Sequence, residues 1–128
     1  MKKDFDKWNK TKKVVNDYGL QKKYNTRDVW WCSLGINIGL EQDGTGDEYQ
    51  RPVVVIKGLS KDTCLIVPLT TSPKEHSMRI PVGEVEGKNA SAIISQIRVV
   101  DTRRFVNKID RIKIQYYEDI RKAVRGIV

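Results

Sequence analysis

Cysteine and histidine are scarce in this chain. Its 128 residues include two cysteines, Cys32 and Cys64, and a single histidine, His76. The cysteines lie far apart inside apolar runs, without the spacing of a metal site or a redox pair, so we expect two buried free thiols. His76 lies in a polar connection and should be exposed. With one imidazole, the sequence argues against a serine-hydrolase triad or a two-histidine nuclease, and we predict no metal and no cofactor.

Long apolar runs are also missing. No stretch reaches the roughly eighteen apolar residues of a membrane span. Asp4 and Asp6 interrupt the first ten residues, where a signal peptide would be apolar. We therefore expect a cytoplasmic protein without a membrane partner, with one hydrophobic core.

Positive charge is concentrated at the two ends of the chain. The formal net charge is +8. Residues 1–27 hold nine Lys/Arg against three Asp, and residues 98–128 hold nine against four acidic residues. Residues 28–97 hold six against nine and are net acidic. The terminal segments are thus the parts whose charge suits a nucleic acid.

The first segment has the pattern of a basic amphipathic helix. Phe5, Trp8 and Val15 recur at helical spacing before a turn signal at Asn16 to Gly19. We predict a basic helical extension over residues 1–26, preceding a domain at 27–128. The extension is either an RNA-facing arm or a solvated face, and the pattern leaves both open.

Beyond residue 27 the pattern changes to alternating, β-branched and aromatic residues. We predict strands at 28–34, 51–57, 63–69, 78–82 and 90–100, with a short sixth piece at 105–109. Turn residues separate them, among them Gly87-Lys88-Asn89 before the fifth.

The chain ends in a segment with helical periodicity. Apolar residues recur every three or four positions at Ile114, Tyr117, Ile120, Val124 and Ile127. Short strands followed by one packed helix predict an α+β fold, a small, strongly bent antiparallel sheet or barrel.

A long link joins the first two strands. Residues 35–52 exceed the length of a hairpin loop and combine glycines with acidic residues, a combination that favours a functional loop. No helix follows, so the glycines do not form a phosphate-binding loop. Calcium is an alternative ligand, given Asp43, Asp47 and Glu48, although the oxygen spacing of a calcium loop is missing.

Arg51 follows this loop at a strand entrance, before Pro52. A guanidinium fixed there can hold a phosphate in a two-point fork. The alternative is a structural ion pair with Glu41 or Glu48.

Polar residues also occur where strands are otherwise apolar. Thr70, Thr71 and Ser72 bring three hydroxyls to a strand end, where they either serve a phosphoryl site or cap a turn. Ser95 and Gln96 interrupt an apolar run. Gln96 is either a hydrogen-bond anchor of the core or a reader of a nucleobase.

Five motifs in this order resemble those of the MazF/PemK toxins. They read WWCSLG, GLEQDG, RPVVVIK, VPLTTS and SQIRVVDTRR, and the resemblance covers roughly residues 27–126. It implies an SH3-like barrel of the MazF/CcdB kind with a C-terminal helix, to which this chain adds its basic N-terminal helix. It also implies a homodimer, neutralised by a cognate antitoxin, that cleaves single-stranded RNA such as mRNA at short preferred sequences without a metal.

The resemblance also implies roles for particular residues. The arginine of the RP motif and the hydroxyl of the PLT motif are catalytic in the family and fall on Arg51 and Thr70. The glutamate of the EQ pair falls on Glu41, a candidate to accept the proton of the attacking 2′-hydroxyl. Neighbouring polar residues of the same motifs are predicted to bind substrate: Gln42, Thr71, Ser72, Ser95, Gln96 and Arg98.

Two other functions fit the same barrel. One is a CcdB-like toxin that binds a protein without catalysis, for which Glu41, Arg51 and Thr70 would be unnecessary. The other is a basic nucleic-acid-binding module whose affinity falls steeply with salt.

Overall fold

The computed structural model describes residues 23–34 and 50–128. The predicted N-terminal helix and the loop that carries Glu41 and Gln42 lie outside these residues. Within them, the chain forms seven strands and one long helix. The strands are β1 (Asp28–Ser33), β2 (Gln50–Gly58), β3 (Thr63–Thr70), β4 (Arg79–Val85), β5 (Lys88–Ile93), β6 (Arg98–Asp101) and β7 (Phe105–Arg111), and the helix is α1 (Ile114–Gly126).

The strands form one antiparallel sheet in the order β4-β5-β3-β2-β1-β7. Strand β6 pairs with β3 on the same edge that β5 uses, but at the opposite end of β3. The sheet therefore divides along β3 and curls, with α1 packed near the β4–β5 hairpin. This is the α+β architecture that the sequence predicts.

The central strands place apolar side chains on both faces of the sheet. Val53, Val55 and Ile66 join a core around Trp30 and Phe105. The alternate residues join a second core, which α1 helps to cover: Val54, Ile56, Val67 and Leu69. Burial on both faces explains why β2 and β3 read as nearly continuous apolar runs.

The predicted strand 90–100 is wrong in one respect, because the chain breaks in its middle. A 3-10 turn at Ile94–Gln96 separates β5 from β6. The break leaves Val67 and Pro68 of β3 between the residues paired with β5 and those paired with β6. Since Pro68 has no N–H, this stretch is suited to an interrupted ladder.

The turn predicted at Gly87-Lys88-Asn89 is displaced by one residue. The β4–β5 hairpin turns at Glu86 and Gly87, which both have positive φ, 50° and 79°. Two such residues in succession form a two-residue turn that matches the twist of the flanking strands. Lys88 and Asn89 therefore already belong to β5.

The predicted short piece at 105–109 is a full strand, Phe105–Arg111. Its pairing with β1 skips Ile109 and, further along, Val106. Such bulges twist a strand and redirect its side chains.

Helix α1 packs against the hydrophobic core along its middle, and its two ends are exposed. Ile120 is buried, and the Tyr117 hydroxyl donates to the Ile56 carbonyl at 2.7 Å. Ile114 and Ile127 were predicted to face the core, but they are exposed at the two ends of the helix. The core is shorter than the helix.

The two cysteines and the histidine have the burial that the sequence predicts. Cys32 and Cys64 are buried free thiols, and His76 is exposed. Across the residues described, no helix is both long and apolar enough to cross a membrane.

Candidate functional site

Arg51 lies at the start of β2, opposite Cys32 of β1, and is 3% exposed. Its Nη2 donates to the backbone carbonyl of Leu69 at 3.0 Å, and its Nη1 donates to the side-chain oxygen of Gln96 at 3.3 Å. These two acceptors use two of the five N–H groups of the guanidinium. Within the described residues, the other N–H groups have no acceptor and can bind a ligand.

No carboxylate among the described residues neutralises the charge of Arg51. Within residues 23–34 and 50–128 no carboxylate forms an ion pair with it. Burial lowers the pKa of the guanidinium, and the positive charge of Arg79 lowers it further. An arginine still keeps its proton in such surroundings, so a buried cation is held where an anion would be favoured.

Thr70 ends β3 and is 8% exposed. It directly follows Leu69, whose carbonyl binds Arg51, so the two residues predicted to be catalytic lie side by side. The Thr70 Oγ1 accepts a hydrogen bond from the backbone N–H of Ser72 at 3.1 Å. The hydroxyl therefore caps the turn as an acceptor and keeps its own proton to donate.

Gln96 reaches Arg51 because of the break between β5 and β6. It ends the 3-10 turn and is half-buried beside the unpaired stretch of β3. The contact with Arg51 is that of a hydrogen-bond anchor. Reading of a nucleobase by the same amide stays a prediction.

Arg51 and Thr70 line a cleft of about 330 Å³, which we call the Arg51 cleft. It lies between the β1–β2 part of the sheet and the tip of the β4–β5 hairpin. Apolar and polar side chains from six strands, the β4–β5 turn and the chain just after β3 contribute to it: Trp31, Arg51, Pro52, Leu69, Thr70, Thr71, Val85, Glu86, Lys88, Ala90 and Ile109.

A second, wider depression adjoins this cleft at Thr71 and Ala90. Its volume is about 820 Å³, and Ser72, His76 and Arg79 are among the residues that line it. His76 Nδ1 accepts a hydrogen bond from the backbone N–H of Met78 at 3.0 Å. We call this depression the Arg79 groove.

The remaining predicted residues are dispersed. Ser95 is exposed beside Gln96, outside both depressions. Arg98 pairs in register with Ile66, four residues before Thr70, roughly 13 Å along the strand. Its positive charge lowers the pKa of the Arg104 guanidinium and opposes the rise that burial causes in the pKa of the Cys32 thiol. The structure therefore does not bring Ser95 or Arg98 into the cleft.

The remaining predictions concern Glu41, Gln42 and the absence of a metal site. Glu41 and Gln42 lie outside the described residues. Among those that are described, no three His, Cys, Asp or Glu side chains converge as metal ligands.

The structure thus places a buried arginine beside a strand-end threonine in a small curled antiparallel sheet. The family model of PemK-like, MazF-like toxins of type II toxin-antitoxin systems matches residues 25–128. The chain therefore belongs to the PemK/MazF toxin family, as its motifs indicate. A comparison with curated protein sequences gave no match.

Several solved structures share this fold at low sequence identity. MazF from Deinococcus radiodurans superposes with a TM-score of 0.66 at 16% identity, covering 83% of this chain and 96% of that one. An endoribonuclease in complex with its cognate antitoxin, from a mycobacterial species, gives 0.63 at 12% identity over 81% and 93%. The Mycobacterium tuberculosis toxin MazF-mt6 gives 0.60 at 11% identity over 78% and 94%. These similarities confirm the predicted fold.

Sequence reasoning missed several residues of the site. Trp31, Glu86 and Lys88 line the Arg51 cleft, and Arg79 acts electrostatically on Arg51. The second tryptophan of the WW pair was the available signal, because alternation on a strand must place Trp30 and Trp31 on opposite faces.

Proposed function

We propose that this toxin is an endoribonuclease that cleaves single-stranded RNA, including mRNA, at short preferred sequences and without a metal ion. The observation that carries the proposal is the environment of Arg51. Two neutral acceptors hold its guanidinium at the wall of an open cleft, and no described carboxylate neutralises it. A phosphate is the anion for which an arginine fork is best shaped.

The chemistry follows from what such a site can supply. The RNA's own 2′-hydroxyl attacks the adjacent phosphorus in line, and the bond to the 5′-oxygen of the next nucleotide breaks. The products are a 2′,3′-cyclic phosphate and a free 5′-hydroxyl. Negative charge builds on the non-bridging oxygens during the attack, and Arg51 is placed to stabilise it.

Thr70 supplies a second contact to the phosphate. Its oxygen is already fixed by the N–H of Ser72, so its proton can be directed at one of the phosphate oxygens. Arginine cannot act as the base. The resemblance assigns the acceptance of the 2′-hydroxyl proton to Glu41, and we retain that assignment as part of the proposal.

The proposed partners follow from the family and from one of the similar structures. One neighbour is an endoribonuclease bound to its cognate antitoxin. We propose that this chain, too, is neutralised by a cognate antitoxin and that it works as a homodimer. Light scattering of the isolated protein and of its complex would test both assemblies.

The test of the activity uses purified protein and mixed RNA in excess EDTA. We expect discrete fragments with cyclic-phosphate 3′ ends and with 5′-hydroxyls that a polynucleotide kinase can label directly. Arg51→Ala should abolish cleavage while the protein stays folded, because the transition-state charge then lacks its partner.

Arg103→Ala is the matched control. Arg103 is an exposed arginine, paired with Asp101 at 2.9 Å, and its removal changes the net charge equally. It should cleave like the wild type. Undiminished cleavage by Arg51→Ala, or intact RNA with the wild-type protein, would contradict the proposal.

A further inference from the structure

The two adjacent tryptophans of β1 have different surroundings. Trp30 is 7% exposed and stacks on Phe105, with ring centroids 5.2 Å apart. Trp31 is half-buried and, among the described residues, belongs to neither hydrophobic core cluster. Its aromatic ring lines the Arg51 cleft instead. Packing among the described residues therefore accounts for Trp30 but leaves Trp31 as a large aromatic side chain at the wall of the cleft.

The strand pairing around Trp31 is irregular. On the β7 side the register shifts between Val29 and Trp30 and again between Trp31 and Cys32, and Ile109 is the residue left over at the first shift. Ile109 also lines the cleft. Bulges that redirect side chains occur often beside active sites, and here two of them enclose the Trp30–Trp31 pair, of which Trp31 lines this cleft.

The cleft is lined by both apolar and charged residues. Its apolar lining residues include Pro52, Val85, Ala90 and Ile109, and Pro52 pairs with Trp31 in register. Its charged members are Arg51, Lys88 and Glu86, two cations against one anion. A ligand that combines a flat apolar group with a phosphate would place the flat group against Trp31 and the phosphate against Arg51.

We propose that Trp31 forms a nucleobase subsite, in which a base next to the scissile phosphate stacks on the indole while Arg51 holds that phosphate. This inference rests on the proposed ribonuclease function and adds a residue that determines how the RNA is bound. Single-stranded RNA is commonly bound by stacking unpaired bases on aromatic side chains. Because every base has a flat face, the stacking contributes affinity for many sequences.

The test measures binding of an RNA that cannot be cleaved. The probe is a fluorescein-labelled pool of 12-nucleotide RNAs of randomised sequence, with a 2′-fluoro group replacing every 2′-hydroxyl. Anisotropy titrations compare the wild type with Trp31→Phe, which keeps a flat aromatic ring, and Trp31→Leu, which keeps only apolar bulk. Thermal melting of each variant checks the fold.

Stacking predicts that Trp31→Phe binds within about three-fold of the wild type, whereas Trp31→Leu loses about five-fold or more in affinity. Steady-state cleavage should show the same loss mainly in KM. An apolar side chain of the antitoxin is the other occupant that such a wall could take. In that case Trp31→Leu would bind the pool normally, and the proposal would be overturned.

Failure of the base subsite can be distinguished from failure of the proposed ribonuclease function. If Arg51→Ala abolishes cleavage but Trp31→Leu binds and cleaves like the wild type, only the base subsite fails. If the wild-type protein cleaves no RNA but still binds the pool in a Trp31-dependent manner, the ribonuclease proposal fails and the stacking site stands.

Discussion

The side-chain oxygen of Gln96 accepts a hydrogen bond from Nη1 of Arg51 at 3.3 Å, although the two residues are 45 positions apart in sequence. The contact exists because the chain leaves β3 at the 3-10 turn Ile94–Gln96 before it pairs again as β6. Together with the Leu69 carbonyl, Gln96 fixes two sides of the guanidinium. The orientation of Arg51 thus depends on a local interruption of the sheet.

Removing this anchor should slow cleavage at all sequences equally. We expect Gln96→Ala to reduce kcat by about ten-fold or more, because a hydrogen bond to a charged group contributes roughly 1.5–3 kcal/mol. Gln96→Glu should keep the orientation but raise KM, since its carboxylate competes with phosphate for Arg51. The measurement is the rate on several RNA substrates that differ at the cleavage site. A changed sequence preference with unchanged kcat would instead make Gln96 a base reader.

The Thr70 hydroxyl should matter more for the reaction than for the fold. Thr70→Ser keeps the hydroxyl and should stay within a few-fold of wild-type kcat. Thr70→Val loses it, and we expect a fall of about 10- to 100-fold. Thr63→Val is the control, because Thr63 bonds to Ser60 at the other end of the same strand. If Thr63→Val lowers kcat as much as Thr70→Val does, the effect is one of stability.

Gly83 should tolerate no side chain. Its φ is 81°, and an added Cβ would lie 2.9 Å from Cε2 of Tyr116. We expect Gly83→Ala to lower the free energy of unfolding by about 1–2 kcal/mol from the left-handed backbone alone. The change should appear as a reduced denaturant midpoint at an unchanged slope.

Gly126→Ala is the matched substitution for Gly83→Ala. An alanine Cβ at position 126 meets nothing within 4 Å, and the residue is the last of α1. It should be neutral or slightly stabilising, because alanine is the better helix former. An equal loss at both glycines would show that the strain at Gly83 is not the cause.

The two thiols should be unreactive while the protein is folded. Burial raises the pKa of Cys32 and of Cys64 to about 12. A thiol whose pKa is raised on folding stabilises the folded state fully below the unfolded pKa of about 8.5 and loses that contribution as the pH rises toward 12. Alkylation by iodoacetamide at pH 8, followed by mass spectrometry, should be slow in the native protein and fast in denaturant. Rapid native labelling of either cysteine would contradict the burial.

The comparison of sequence and structure separates local patterns from long-range ones. Alternation and turn residues predict five of the seven described strands closely and α1 to its first residue, because these features depend on neighbours in the chain. The turn at Glu86 and Gly87 was displaced because a non-glycine residue adopts a positive φ there. The single strand predicted at 90–100 failed because the interruption at Ser95 and Gln96 depends on where β3 is, which no local pattern contains.

In the candidate site, too, some features follow from local sequence and others only from the tertiary structure. The sequence by itself determined the family and the barrel with its C-terminal helix, and it named Arg51 and Thr70 as candidate site residues, since all of these are carried by ordered motifs. Only the tertiary structure decided that Gln96 is the anchor of Arg51, that Ser95 and Arg98 lie outside the cleft, and that Trp31 lines it. Those facts depend on the register between strands and on the curl of the sheet, because a shift of one residue would exchange the faces that Trp30 and Trp31 occupy.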